Sequence, residues 1–177
     1  KVMVVVDEVY LDFVDDPSLI PLVQSNKNLV IIKSFSKVYG LAGMRLGYGL
    51  AHPDTINFLQ KFVDRAGNGI SHLTLYAGLA ALDDHEFVQM YLKKNEEAKE
   101  VLYSYLKSKN VEYYYSHANC TIFSMDRFDK NMVTKLLSDD KILVRQVDDW
   151  GVQYCRVSIG TPEDMGQFVK VIAKYIT

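Results

Sequence analysis

Short, densely apolar runs alternate along the chain with longer stretches at helical spacing. Residues 2–6 read VMVVV and residues 29–32 read LVII, two β-branched runs bounded by polar residues and too short for helices. They predict buried strands over 2–6 and 29–33, and the tract RLGYGLA predicts a third over 45–51, with close backbone approach at its glycines. Between the first two, residues 10–21 predict a loop or short helix, with turn chemistry at Asp15, Asp16 and Pro17. Gly40 and Gly43 predict a tight connection into the third strand.

From residue 53 the period becomes helical. Pro53 opens a predicted helix to about residue 65, with Ile56, Leu59, Phe62 and Val63 on one face. Residues 66–71 (AGNGIS) read as a loop, and the Ala- and Gly-rich apolar stretch 73–82 as a buried helix. A long helix is predicted over 86–107, its apolar stripe carried by Phe87, Tyr91, Ala98, Val101, Leu102, Tyr105 and Leu106. Its charged tract KKNEEAKE at 93–100 reads as a solvated face. After residue 110 strands return: VEYYY (111–115), CTIFSM (120–125), 142–147 and 154–159, with a short helix at 131–138. Thr161, Pro162, Glu163 and Asp164 form a helix start, followed by Met165, Phe168, Val169, Ile172 and Ile176 at helical spacing.

Composition narrows the class. With 177 residues, 49% of them hydrophobic, a mean hydropathy of −0.04 and a net charge of −2, the chain suits a globular protein. The charge gives no footprint for nucleic acid or an acidic membrane surface. No apolar run approaches the roughly 18–20 residues that cross a bilayer, and the opening residues show no leader pattern, so a cytoplasmic location is expected. Cys120 and Cys155 sit in strand-like segments and read as small buried hydrophobes in a reducing compartment. The histidines, at 52, 72, 85 and 117, lack metal-ligand spacing, so no metal is expected.

The candidate chemistry lies at the ends of the first two strands. The run 29–33 leads into Ser34, Ser36 and Lys37, and Arg45 follows eight residues after that lysine. Ligands of open α/β sheets sit beyond the carboxyl ends of the strands, so an amine, two hydroxyls and a guanidinium there suit a small anion. The run 2–6 ends in Asp7, Glu8, Val9 and Tyr10, and an acid at the end of an apolar strand calls for a positive partner. Glu8 reads as structural. Arg156, in a strand between Cys155 and Val157, likewise needs an anion.

D-E-x-Y, S-x-S-K and an Arg eight residues past the Lys together resemble the fold-type I aminotransferases that use pyridoxal 5′-phosphate (PLP). SFSKVYGLAGMRLGYG at 34–49 and CRVSIGTPEDM at 155–165 are most similar to the histidinol-phosphate aminotransferase branch. The resemblance implies an α/β fold: part of the three-layer, mainly parallel PLP-transferase large domain over 1–85, then the interdomain helix and a small α+β domain over 86–177. It implies that the third strand runs antiparallel beside the other two. Family chains run to roughly twice this length, which makes this one resemble a C-terminal half. The implied roles are Lys37 as the catalytic amine, Asp7 on the ring nitrogen and Tyr10 on the ring hydroxyl. Ser34, Ser36 and Arg45 would hold the cofactor phosphate. Arg156, Arg145 and Asn119 would lie at the substrate end. The implied reaction moves an amino group from histidinol phosphate or a related donor to a 2-oxo acid such as 2-oxoglutarate, in a homodimer.

Two tracts depart from the branch: AGNGIS at 66–71, where Pro-Phe-Asn is usual, and VRQVDDWGVQYC at 144–155. Both put the donor's identity in question. A decarboxylase of a phosphorylated amino acid shares the same motifs. VMVVVDE also reads as a Walker B strand, but no G-x-x-x-x-G-K-[ST] accompanies it. A non-catalytic remnant is the third alternative.

Overall fold

The computed structural model describes residues 2–66, 69–149 and 151–177. They form two compact units, Lys1–Gln89 and Met90–Thr177.

In the first unit the β-branched runs form β1 (Val4–Asp7) and β2 (Leu29–Ser34), and the glycine-spaced tract forms β3 (Gly47–Ala51). The expected burial of the first run is corrected: Val4 and Val5 are 51% and 58% exposed, because β1 is the edge strand with little packed over it. The sheet order is β1-β2-β3. β1 and β2 are parallel, with Val4 opposite Leu29 and Asp7 opposite Ile32. β3 is antiparallel to β2, with Ser34 opposite Gly47, as the resemblance implies. Alternation along β2 buries Leu29, Ile31 and Lys33 and leaves Val30, Ile32 and Ser34 more open. Val23, Leu29 and Ile31 form a small core, with Val6 and Leu50 against it.

β3 starts two residues later than the sequence predicts. Arg45 instead ends a 3-10 turn (Ala42–Met44) in the left-handed conformation, φ 53°, and its N–H bonds back to Ala42. The helices α1 (Pro53–Ala66) and α2 (His72–Asp83) follow. Ser71 caps α2 by accepting the Thr74 N–H at 3.1 Å. The predicted loop 66–71 lies partly outside the described residues. The expected burial of 73–82 is corrected: Leu73, Tyr76 and Leu79 are 79%, 70% and 60% exposed. Three strands offer too little surface to cover both faces of an all-round apolar helix, and Thr74 and Gly78 mark the side that is covered.

α3 (His85–Ser108) runs into the second unit. There β4 (Tyr113–Tyr114), β5 (Cys120–Ser124), β6 (Arg145–Asp149) and β7 (Val152–Ser158) form an antiparallel sheet in the order β4-β5-β7-β6. Leu102 and Leu106 of α3, Leu136 of α4 (Met132–Ser138) and Ile172 of α5 (Pro162–Ile172) meet Phe123 and Cys155 in one core. α5 begins at the predicted helix start, where Thr161 and Asp164 form a capping box.

Three predictions change here. β4 keeps only two residues of the run 111–115. β6 lies at 145–149 rather than 142–147, because Ile142 and Val144 pack on the core as loop residues. The charged tract 93–100 is not wholly solvated, since Asn95 and Lys99 are 3% and 1% exposed. Lys99 satisfies its buried ammonium by donating to the Ser116 carbonyl at 2.8 Å and pairing with Glu96. Both cysteines are free; Cys155 is buried and Cys120 half-buried.

Candidate active site

Because β1 and β2 are parallel neighbours, their carboxyl ends emerge side by side. Glu8 N–H continues the pairing onto the Ile32 carbonyl at 2.9 Å. Asp7 is exposed there, and its Oδ1 accepts the Val9 N–H at 3.1 Å, turning the chain off the strand. Glu8 is buried and accepts from Ser18 Oγ at 2.7 Å and Leu19 N–H at 2.9 Å, so its role is structural, as expected. Tyr10 precedes a 3-10 turn, Leu11–Phe13.

The loop after β2 brings its amine back to this end. Phe35 and Val38, 5% and 1% exposed, anchor the loop on either side of half-buried Lys37. Ser34 Oγ accepts the Ser36 N–H at 3.1 Å. The Gly40 N–H closes onto the Lys37 carbonyl at 3.1 Å, with Gly40 at φ 67°, a conformation that glycine adopts without strain. Lys37 Nζ then lies 4.9 Å from the Tyr10 ring centroid, a cation–π distance. The structure thus brings two residues from separate motifs into contact. Asp7 and Ser34 stand at the neighbouring strand ends, and Arg45 lies two residues before Gly47, the partner of Ser34. Arg45 is exposed and spends one Nη1 hydrogen on the Ala42 carbonyl at 2.9 Å, leaving the rest of its fork for an anion.

A second lysine falls outside the motifs. Lys33 is 8% exposed and its Nζ lies 3.0 Å from Asp12 Oδ1, so it is tied up in an ion pair. Its signal is the alternation itself, which puts Lys33 on the face of Leu29 and Ile31. A lysine on a buried face needs an acid. Close by, the Tyr39 phenol is held above its ordinary value by burial first, then by the charge of Asp12 and by Tyr48.

In the second unit Arg156 of β7 lies opposite Ile122 on one side and Arg145 on the other. Arg156 is half-buried rather than buried, and its Nη2 donates to Cys120 Sγ at 3.4 Å. Asn119 reaches α3: its Nδ2 donates to Tyr91 Oη at 3.0 Å, and its backbone carbonyl accepts the Ile159 N–H at 2.9 Å.

Known proteins share both sequence and fold with this arrangement. The family model for aminotransferase class I and II matches residues 1–172. Histidinol-phosphate aminotransferase of Symbiobacterium thermophilum is 37% identical over 172 residues, which cover 96% of this chain and 47% of that protein. A solved Erwinia carotovora atroseptica structure, described as a candidate histidinol-phosphate aminotransferase, superposes with a TM-score of 0.87 at 31% identity, covering 97% of this chain and 50% of its own. The histidinol-phosphate aminotransferase of Sinorhizobium meliloti, solved in complex with pyridoxal-5′-phosphate, shares the fold at a TM-score of 0.85 and 24% identity, over 97% of this chain and 49% of that one. The chain therefore spans about half the length of the relatives it matches, and within that half it carries the mixed α/β fold expected from its motifs. It belongs to the class I and II aminotransferase family.

Proposed function

We propose that this chain carries the lysine-bearing half of a PLP-dependent aminotransferase. The observation that supports this best is the meeting of Lys37 with Tyr10 where β1 and β2 end side by side. Residues 1–85 then belong to the cofactor-binding large domain, and 86–177 to the interdomain helix and small domain.

The residues present fit the cofactor. PLP offers a phosphate, a pyridine nitrogen, a ring hydroxyl and a carbonyl carbon. The chain has an amine at Lys37, an exposed carboxylate at Asp7, a phenol at Tyr10, hydroxyls at Ser34 and Ser36, and a guanidinium at Arg45 with donors to spare. When bound, the cofactor supplies an electron sink for charge that develops beside the substrate's amino group. Asp7 holds a proton at the ring nitrogen, and Tyr10 orients the ring through its hydroxyl. Ser34, Ser36 and Arg45 anchor the phosphate, Arg45 as a two-pronged donor. Lys37 Nζ would take the proton from the substrate's Cα and return it to the cofactor's carbonyl carbon, across the amino nitrogen. Arg156 and Arg145, side by side on one sheet face, take the anionic end of the substrate.

The amino donor is histidinol phosphate or a related amine, as the name of the 37% identical relative suggests. The acceptor is a 2-oxo acid, 2-oxoglutarate. The enzyme works as a cytoplasmic homodimer on small molecules, a location that two free cysteines suit. Incubating the natively produced protein with PLP, histidinol phosphate and 2-oxoglutarate tests this. Stoichiometric glutamate and the oxo product support it; no amino transfer contradicts it. Carbon dioxide released from a phosphorylated amino acid would move the reading to a decarboxylase.

A further inference from the structure

The ion pair of buried Lys33 with half-buried Asp12 has no part in the chemistry above, yet it touches both segments that form the site. Lys33 lies four residues before Lys37 on β2, and Asp12 lies two residues after Tyr10. Their 3.0 Å contact fastens the Leu11–Phe13 turn to the strand that feeds the Lys37 loop. That turn is short and stiff: the Leu11 N–H bonds to the Glu8 carbonyl and the Phe13 N–H to the Tyr10 carbonyl, both at 3.1 Å. A shift of Asp12 therefore carries Tyr10 with it. The Asp12 charge also reaches past the strand to Tyr39, two residues after Lys37, whose ring packs 5.1 Å from Phe35. One carboxylate thus acts on chain both before and after Lys37.

We propose that Asp12 is a positioning residue that clamps the Tyr10 turn onto the loop carrying Lys37; this rests on the reading of that loop as the PLP site. Asp12 touches neither substrate nor cofactor. It acts through Tyr10, whose ring lies under the Lys37 amine. Lys33 is its anchor and not a second reactive amine, because the ion pair holds that ammonium on the buried face.

The test compares wild type with Asp12→Asn, Lys33→Arg and the paired change Lys33→Met/Asp12→Leu. The paired change replaces the ion pair with apolar side chains, an exchange that folds generally tolerate. The readouts are PLP affinity by spectroscopic titration, and hydrogen exchange of residues 9–14 and 35–41 in the unloaded protein. Asp12→Asn is expected to bind PLP about tenfold more weakly and to exchange faster in both segments together. Lys33→Arg, which keeps the charge, stays near wild type. The paired variant folds but binds PLP as weakly as Asp12→Asn. Wild-type affinity and unchanged exchange in Asp12→Asn and in the paired variant would overturn the clamp. If the wild type binds no PLP, the cofactor reading fails, and exchange in the unloaded protein decides the clamp on its own.

Discussion

Arg145 and Arg156 stand directly opposite one another across the antiparallel pair β6–β7. Like charges at directly opposed positions destabilise a sheet, and an anion bound between them relieves that cost. Inorganic phosphate is therefore expected to raise the melting temperature of the wild type more than chloride at equal ionic strength does. Phosphate at about ten times its dissociation constant adds about 1.4 kcal/mol, or about 6–11 °C for a domain of 60–100 residues. Arg156→Gln should lose most of that gain while folding normally. An equal gain in wild type and variant, read by differential scanning calorimetry, would remove the arginine pair from the anion site.

The two cysteines should differ sharply in reactivity. Burial pushes the Cys155 thiol up to about 12, so below that pH it stays a protonated thiol, shielded in the core. Cys120 is half-buried on the opposite sheet face, with Arg156 donating to its sulfur. Because the thiolate is the nucleophile, iodoacetamide at pH 8 is expected to label Cys120 and spare Cys155 in the folded protein. Peptide mapping by mass spectrometry reads the outcome. Equal labelling would mean that the core around Cys155 opens readily.

Acid stability of the second unit should depend on three carboxylates. Asp129 is held below its usual range by Lys135, then by the Asn131 N–H. Asp140 is held down by Lys174, then by Tyr175. Asp164 is held down by the Thr161 N–H, then by the Thr161 hydroxyl. Folded-state values below the unfolded value of about 3.9 mean that this stabilisation is present above that pH and fades as pH falls through the folded values. Asp140→Asn should unfold at lower denaturant than wild type at pH 7, with the gap closing below about pH 4. The same variant should bring the Tyr175 phenol, raised to about 12 mainly by its hydrogen bond to Asp140, back toward its ordinary value. A gap that does not vary with pH would show that the loss comes from packing rather than charge.

Much of this was legible in the sequence where one signal dominates. The β-branched runs gave β1 and β2, and Thr161-Pro162 with Asp164 gave the start of α5, because local chemistry there decides without tertiary help. The motif residues gave the meeting of Tyr10 and Lys37 only through the family resemblance; no periodicity pairs a β1 turn with a β2 loop. The predicted strand 142–147 stops short of Asp148 and Asp149, yet these pair with Gln153 and Val152, because Gly151 at φ 82° makes the reversal between the strands. Lys99 read as solvent-facing, and its charge hid the acceptors, Ser116 and Glu96, that let it go inside. The leucines of α2 read as core, but burial depends on the surface available to cover them, which a helix's own sequence does not encode.

Lys37, and not buried Lys33, is proposed as the amine that holds the cofactor. Borohydride reduction of the PLP-loaded protein, followed by peptide mapping, tests it most directly. A pyridoxyl adduct is expected on Lys37 alone, absent from a folded Lys37→Ala variant and unaffected by Lys33→Arg. An adduct on Lys33, or a specific adduct that persists in Lys37→Ala, would contradict it.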